Sequence, residues 1–199
     1  MMRKIMCRIL LSLSAIVICS GSLLAQSQHT FGFKGGLNIS TLGGNATGSS
    51  ARLGYNLGFY SEYRMFQELG IQAELLLSFQ GARSTNINNL KLNYTYLVLP
   101  VIFNIYFSEE MALEVGLQPA YLLRAVQYDG GDKFDIRDNV NKFDLSGILG
   151  ISFNKSYGKA GVRFVLGITN TNGTAFTFNS NSKNNVLQLY LAKTLITIE

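Results

Sequence analysis

Cysteine, histidine and charge are all scarce in this chain. Of its 199 residues only 15% are charged, two are cysteine (Cys7 and Cys19) and one is histidine, His29. Beyond Cys19 the chain therefore has no means of forming disulfides, thiolate metal sites or cysteine nucleophiles. His29 stands in a predicted flexible tail with no nucleophile or orienting acid identifiable beside it, so Ser-His-Asp and histidine-based metal sites are not expected.

Long apolar runs are confined to the N-terminus. That segment has a basic start, an apolar stretch and small residues before a cleavage site between Ala25 and Gln26. The pattern predicts a secretory signal peptide over residues 1–25, followed by one mature domain over 26–199. No later run reaches the roughly 18 apolar residues that a membrane-spanning helix needs.

A strong charge of one sign is also absent once the signal is set aside. The signal holds three of the 17 basic residues, which leaves 14 basic residues against 12 acidic ones, a net charge of +2. Basic patches with interleaved aromatics are missing too, so nucleic acid is not an expected partner.

Apolar and polar residues instead alternate with a period of two, which predicts β-strands. In the fourth segment the odd positions are apolar, but Leu92 and Tyr94 upstream are even, which predicts a slip of phase or an exit from the membrane. Pro100 in the same segment predicts a bulge or a locally unpaired point. The eight predicted strands cover residues 31–41, 52–64, 69–80, 97–107, 111–125, 143–154, 160–169 and 185–198.

The connections alternate in length along the chain. Joins after strands two, four and six are short, whereas joins after strands one, three, five and seven are long and polar. This order is typical of outer-membrane barrels with short periplasmic turns and long extracellular loops. An even strand number then places both ends of the mature chain on the periplasmic side.

The direction of the apolar faces separates two kinds of barrel. A soluble lipocalin-type barrel has apolar residues inside and polar ones outside, and a membrane barrel has the reverse. The apolar faces extend over the nine to eleven residues of a membrane-crossing strand and carry aromatics near their ends. We therefore predict an all-β fold, an eight-stranded antiparallel up-and-down transmembrane β-barrel. Its polar faces would form a structural charge network in the lumen, comprising Lys34, Arg52, Glu62, Arg64, Glu74, Glu114, Arg124, Asp144 and Arg163.

Glu74 stands in the middle of the apolar segment LGIQAELLLSFQG. Arg64, on the neighbouring predicted strand, is its first expected partner. With both side chains lumenal, Glu74→Leu is expected to be tolerated better than Leu75→Glu, which puts a carboxylate into lipid. A facing pair of Glu62 and Glu74 is also compatible with acid–base catalysis, but the arginines around them favour a charge-paired plug.

Two further motifs could have either a structural role or a chemical one. The glycines of FKGG (Gly35 and Gly36) lack the lysine and serine of a phosphate loop, which favours strand glycines that relieve crowding. The loop YDGGDKFDIRD has four aspartates, but their spacing fails the EF-hand pattern, which favours a solvated loop over a calcium site. We predict no catalytic, cofactor or metal site.

Several segments together resemble a known family. FGFKGGLNISTL, GFYSEYRMFQELGIQAELLLSFQGA, LNYTYLVLPVIFNIYF, FDLSGILGISF and GVRFVLGITNTN follow one another over essentially the whole mature chain. They are similar to the PorT-like family of small outer-membrane β-barrel proteins of Gram-negative bacteria. The chain departs from that family at Val98, where an acidic residue is typical, and in lacking a C-terminal aromatic. The resemblance implies a place in the outer membrane and, for some members, an association with secretion or gliding machinery.

Two functions follow as expectations. The first is a non-enzymatic outer-membrane barrel with a plugged polar lumen and an envelope-structural, loop-presenting or secretion-accessory role. The second is a narrow pore or transporter for small solutes, although eight strands leave an interior that side chains can fill. The expected partners are outer-membrane lipid, the barrel-assembly machinery during insertion and secretion or envelope proteins. The expected state is a monomer.

Overall fold

The computed structural model describes residues 28–44, 49–84, 91–129, 131–170 and 182–198. These residues form eleven β-strands and one 3-10 turn, and none of their helical segments is long and apolar enough to cross a membrane. The predicted signal peptide, residues 1–25, lies outside the described residues. The strands are β1 (Gln28–Gly44), β2 (Ser49–Ser50), β3 (Arg52–Arg64), β4 (Leu69–Ser84), β5 (Lys91–Val98), β6 (Val101–Tyr106), β7 (Met111–Asp129), β8 (Asp132–Asp135), β9 (Phe143–Lys155), β10 (Gly158–Gly167) and β11 (Ser182–Ile198).

The antiparallel sheet closes on itself. β1 pairs with both β3 and β11, and the ring continues through β4, through β5 and β6, and through β7, β9 and β10. Because β5 and β6 are two parts of one strand, the described residues form an eight-stranded wall. β2 and β8 are short additional strands at one end, next to β4 and β7. The predicted up-and-down barrel is confirmed, since every pairing along the ring is antiparallel.

Alternation along each strand puts apolar residues outside and polar residues inside. On β4, Leu75 and Leu77 are 47% and 37% exposed, whereas Glu74 between Ala73 and Leu75 is only 3% exposed. The same order holds on β1, where the buried Lys34 lies between the exposed Phe33 and the outward-facing Gly35. An outward face of large apolar side chains is the arrangement expected of a barrel in lipid.

Aromatic side chains mark both ends of this apolar band. At the end with the long connections (the long-loop end), the Tyr55 ring stacks on Phe79 with 4.3 Å between centroids, and Tyr121 contacts Phe143. At the opposite end (the short-turn end), exposed aromatics lie in or beside the turns, namely Phe66, Phe107 and Tyr157. Aromatic girdles at both interfaces are typical of membrane barrels.

The strand formed by β5 and β6 keeps one phase throughout. Leu92 and Tyr94 point inward like Ile102 further along, so the predicted slip of phase is wrong. The misleading signal arises because this part of the interior is itself apolar, so both faces of the strand are hydrophobic. At Pro100 the ladder is interrupted without a change of register, and the Pro100 carbonyl accepts a hydrogen bond from the Glu74 amide at 2.9 Å. The Leu99 amide likewise donates to the Pro119 carbonyl at 2.9 Å, so the predicted unpaired point is confined to the Pro100 nitrogen, which has no hydrogen to donate.

The interior has two parts with different chemistry. Charged side chains gather toward the short-turn end, whereas the half toward the long loops is mostly neutral. On its β5–β7 side that half contains an apolar cluster, into which Ile136 and Val140 pack from the connection between β8 and β9. The expectation of a polar lumen is thus correct for only part of the barrel. The cluster consists of Leu76, Ala82, Leu92, Tyr94, Tyr96, Val98, Leu122, Ala125, Ile136 and Val140.

The strands are mostly longer than their predicted bounds. β3 has the predicted bounds, but β1 extends from Gln28 to Gly44 and β7 continues to Asp129. These extensions carry mixed side chains without a clear apolar alternation, so the pattern gave no signal for them. They lengthen the strands beyond the nine to eleven residues that cross a bilayer.

The outward face can be tested by placing a cation at two depths. We expect Leu75→Arg to lower the free energy of unfolding by about 2–4 kcal/mol, because it exposes a guanidinium to the middle of the bilayer. The matched change Leu53→Arg affects a residue that is 72% exposed and lies beyond Tyr55. There we expect a cost of about 0–1 kcal/mol, as near an interface. Urea unfolding in lipid vesicles measures both, and equal costs would contradict this orientation.

Candidate functional site

The centre of the interior charge network is Glu74 on β4. Its carboxylate accepts hydrogen bonds from the Lys34 ammonium at 2.9 and 3.0 Å and from the Arg163 guanidinium at 2.8 Å. The side chains of all three residues are at most 1% exposed. Lys34, Glu74 and Arg163 lie on β1, β4 and β10, so these contacts join strands that are not neighbours in the wall.

Arg163 also binds a second carboxylate, that of Glu114 on β7. Its Nη2 donates to Glu114 Oε1 at 3.0 Å, and its Nε donates to the other carboxylate oxygen. The Tyr190 hydroxyl donates to Glu114 at 2.5 Å, while Lys34 and Arg163 lie over the Tyr190 ring at 3.7 and 4.4 Å. Two carboxylates, two cations and one phenol ring thus form a single buried cluster, which we call the central cluster.

Two glycines provide the room that this cluster needs. Gly150 lies between Arg163 and Glu114 in the same row of the sheet, and a Cβ there would be 2.7 Å from Arg163 Cγ. Gly161 lies opposite Tyr190, and a Cβ there would be 2.6 Å from the ring. Because these two positions have no side chains, Arg163 and Tyr190 can extend along the inner face of the wall to reach Glu114.

A second cluster lies closer to the short-turn end, around Glu62 on β3. Lys159 donates to the Glu62 carboxylate, which also accepts hydrogen bonds from Tyr106 and, at 2.7 Å, from Asn104. Gln72 connects the two clusters, because its Oε1 accepts from Lys159 at 2.9 Å and its Nε2 donates to Glu74 at 2.5 Å. The whole inner network is therefore continuous.

The buried charges of the network are equal in number and opposite in sign, and its side chains fill this part of the barrel. Its three buried cations, Lys34, Lys159 and Arg163, are matched by the carboxylates of Glu62, Glu74 and Glu114. Pairing removes most of the cost of burying charge, and removing one partner leaves an uncompensated charge. Among the described residues, no group of three or more His, Cys, Asp or Glu side chains is placed to hold a metal ion.

Arg124 is the predicted network residue that the structure places elsewhere. It is exposed on the outer face of β7, opposite Thr95, because the extra residue Leu123 forms a bulge that shifts the phase of the strand. The prediction that Arg124 is lumenal is therefore wrong. A one-residue bulge turns every later side chain to the opposite face, and no sequence pattern marked it.

The other predicted network residues lie inside the barrel or at its rims. Asp144 is buried toward the long-loop end and accepts a hydrogen bond from Thr169 at 2.5 Å. Arg52 is half-buried at the same end and donates to the Gln80 carbonyl at 2.8 Å. Arg64 is half-buried at the short-turn end, 3.9 Å from the Tyr106 ring. The residues brought together are Lys34, Glu62, Glu74, Glu114 and Arg163.

The expected pairings differ from the observed ones. Arg64 is not the first partner of Glu74, because its guanidinium turns to Tyr106 and to the Gln67 carbonyl. Glu62 and Glu74 do not face each other as a carboxylate pair, since each is bound to its own cations. Lys159 was missed although it precedes the predicted strand by one residue and has the inward parity of Arg163.

The remaining motifs lie in ordinary structural positions. His29 lies in β1, where its Nε2 is 2.8 Å from the Ser61 hydroxyl, so it is not part of a flexible tail. Gly35 and Gly36 lie inside β1, without the strand-to-helix turn of a phosphate loop. At the short-turn end, a hydrogen bond to Glu110 raises the pKa of the exposed Lys155 ammonium.

The central cluster changes the expected effect of replacing Glu74. Glu74→Leu leaves Lys34 and Arg163 with only the Glu114 carboxylate between them, and we expect a loss of about 3–5 kcal/mol in unfolding free energy. Adding Lys34→Met removes the surplus cation while Arg163 keeps Glu114, so we expect the double variant to be more stable than Glu74→Leu alone. Urea unfolding of the single and double variants measures this coupling.

Lys142→Ala is the matched control for this cycle, because Lys142 forms an exposed ion pair with Asp138 at 3.3 Å. Exposed pairs contribute about 0–1 kcal/mol, so little change is expected. If Lys34→Met failed to recover any stability lost in Glu74→Leu, the two residues would not be coupled and the central cluster would be wrong.

The fold is shared with solved structures of other proteins. Ail, the attachment invasion locus protein of Yersinia pestis, is 13% identical with a TM-score of 0.54, and the match covers 85% of this chain and 99% of Ail. Neisserial surface protein A (NspA) is 10% identical with a TM-score of 0.57, covering 83% of this chain and 97% of NspA. At such identities the likeness concerns the fold alone. No curated protein sequence matches the chain.

A family model gives the closer relationship. The model described as outer membrane protein beta-barrel domain matches residues 24–173, which is more than half of the chain. The match covers most of the wall strands, including those that carry Lys34, Glu74, Glu114 and Arg163. With its apolar outer face and closed ring, the chain belongs to the outer membrane protein β-barrel domain family.

Proposed function

We propose that this protein is a sealed, non-enzymatic barrel that holds its long loops at the cell surface, in an envelope-structural, loop-presenting or secretion-accessory role. The observation that carries the proposal is the filled interior. The balanced charge network occupies the half toward the short turns, and the apolar cluster with Ile136 and Val140 occupies part of the other half. An eight-stranded barrel filled in this way has little room for a solute path.

The long-loop end supports a presenting role. β7 has 19 residues, well beyond a membrane crossing, and its end pairs with β8 as a hairpin. The hairpin exposes Phe134 together with Lys133, Asp132 and Asp135. Ile136 and Val140 pack into the barrel directly after it, so the hairpin has a firm base. A projection with acidic residues at its turn and an exposed aromatic side chain along one strand is suited to contact with another molecule.

The partners remain part of this proposal. The apolar outer face supports outer-membrane lipid as the permanent partner, with the barrel-assembly machinery acting during insertion and with the short turns in the periplasm. The resemblance to the PorT-like family supports secretion or envelope proteins as further partners. No nucleic acid is proposed, and the working state is taken to be a monomer.

The sealed interior predicts an absence of channel activity. Refolded protein, checked by heat-modifiable migration on gels, is expected to give no stable unit conductance in planar bilayers. The physical reason is that the buried ion pairs and the apolar cluster would have to separate before ions could pass. Stable unit conductance that changes in the Glu74→Leu protein would contradict the proposal and would support the alternative, a narrow pore for small solutes.

The orientation is testable by chemical labelling, because the chain has no cysteine after Cys19. Lys133→Cys places a thiol on the exposed β7–β8 hairpin, and Ser156→Cys places one on the exposed turn between β9 and β10. In intact cells a membrane-impermeant maleimide is expected to label only the Lys133→Cys protein. After the outer membrane is made permeable, both variants should be labelled. Labelling of Ser156→Cys alone in intact cells would reverse the orientation.

A further inference from the structure

The outer wall of the barrel has a depression on the side formed by β1, β11, β10 and β9. Two outward positions there carry almost no side chain, Gly35 on β1 and Ala160 on β10. Around them lie two connected lobes of about 640 and 670 Å³, which share Gly35, Ala160, Leu191 and Phe153. We call this depression the outer groove. Each lobe has a volume within the range of about 300–1,000 Å³ found for small-ligand sites.

The strand register explains why the groove is continuous. Gly35 is paired with Leu191, Leu191 with Ala160, and Ala160 with Phe153, so these four residues form one row across the sheet. The two small residues lie on either side of Leu191 in that row. The next row toward the long loops contains larger apolar side chains, Leu37, Leu189, Val162 and Ile151, which form the upper wall of the groove.

The row on the other side of the groove, toward the short turns, is basic. It contains Phe33, Lys193, Gly158 and Lys155, paired in that order. The Lys193 ammonium lies 5.8 Å from the ring centroid of the exposed Tyr157, and within the described residues it forms no ion pair. Lys155 forms an ion pair with Glu110, so among the described residues Lys193 provides the net positive charge of this row.

This basic row is in contrast to the remaining short turns. The turn between β3 and β4 exposes Glu68, and the turn between β6 and β7 exposes Glu109. At the short-turn end of the outer wall, the exposed lysines therefore lie on the same side of the barrel as the groove. Lysines near a membrane surface attract anionic lipid, each contributing about a five-fold preference.

We propose that the outer groove binds one anionic phospholipid, with an acyl chain along Gly35 and Ala160 and the phosphate group at Lys193 and Lys155. The apolar walls match a hydrocarbon chain, and the basic row lies where the headgroup of such a lipid would be. Tyr157 adds an amphipathic ring at the same level, as is common at membrane interfaces. The inference goes beyond the proposed function and is independent of what the long loops contact.

The chain has no tryptophan, which allows a site-specific test by fluorescence. Phe153→Trp places a fluorophore in the groove, and Phe103→Trp places one on β6 on the opposite wall, at residues that are 43% and 48% exposed. Each variant is reconstituted in phosphatidylcholine vesicles in which a rising fraction of the lipid is brominated phosphatidylglycerol or brominated phosphatidylcholine. Quenching by each brominated lipid gives its relative affinity at each wall.

In the Phe153→Trp protein we expect brominated phosphatidylglycerol to bind about five-fold better than brominated phosphatidylcholine. In the Phe103→Trp protein we expect equal quenching by the two lipids. Adding Lys193→Gln to Phe153→Trp should remove the preference. Adding Lys183→Gln, an exposed change at the far end of the same strand, should leave it intact.

Three results would overturn the proposal. Equal quenching by both lipids in the Phe153→Trp protein would show that the groove does not select anionic lipid. A preference that survives Lys193→Gln would show that the basic row does not hold the phosphate. Weak quenching by both lipids in the Phe153→Trp protein, with normal quenching in Phe103→Trp, would show that lipid does not occupy the groove.

Discussion

The ion pairs around Glu74 are the constraint on which the inner face of the barrel depends. A carboxylate and two cations cannot lie in this interior unless each is matched, because an unpaired buried charge is strongly destabilising. Glu74 contacts Lys34 from β1 and Arg163 from β10, and Arg163 continues to Glu114 on β7. Four of the eight wall strands in the described structure are therefore tied together across the interior, in addition to their hydrogen-bonded neighbours.

The glycines and the aromatics of the wall follow from that constraint. Gly150 and Gly161 leave space for the Arg163 and Tyr190 side chains, so the backbone positions without a side chain are as important as the charges. On the outer face, the small residues Gly35 and Ala160 leave a groove instead. Small residues thus make room for the network on the inner face and for the proposed lipid on the outer face.

The two parts of the interior have consequences for function. Charged clusters toward the short turns and neutral side chains toward the long loops leave the described barrel filled along much of its length. The carboxylates of Glu62, Glu74 and Glu114 are buried and each is bound to a cation. Among the described residues, the exposed surfaces include the β7–β8 hairpin and the outer wall. A role in contact with other molecules is consistent with that distribution.

Much of the fold could be predicted from the sequence because a membrane barrel repeats one simple rule. Period-two alternation, together with short and long connections in turn, was enough for the strand number, the antiparallel order and the outward face. The inward position of five network members, including Glu74 and Arg163, follows from the period-two alternation alone. Parity failed at Arg124, because a one-residue bulge at Leu123 depends on how β5 and β7 pair and leaves no mark in composition.

The amino-acid sequence was thus sufficient to predict the lipid-facing side of most strands, since that choice is made locally by every second residue. Which charges pair could not be read from the sequence, because it depends on how the strands come together. Partners such as Lys34 and Arg163 are 40 and 89 residues from Glu74 along the chain. They come together through the closure and tilt of the ring, and nearest-strand reasoning pointed to Arg64 instead. The outer groove likewise exists only because register brings Gly35 and Ala160 into one row.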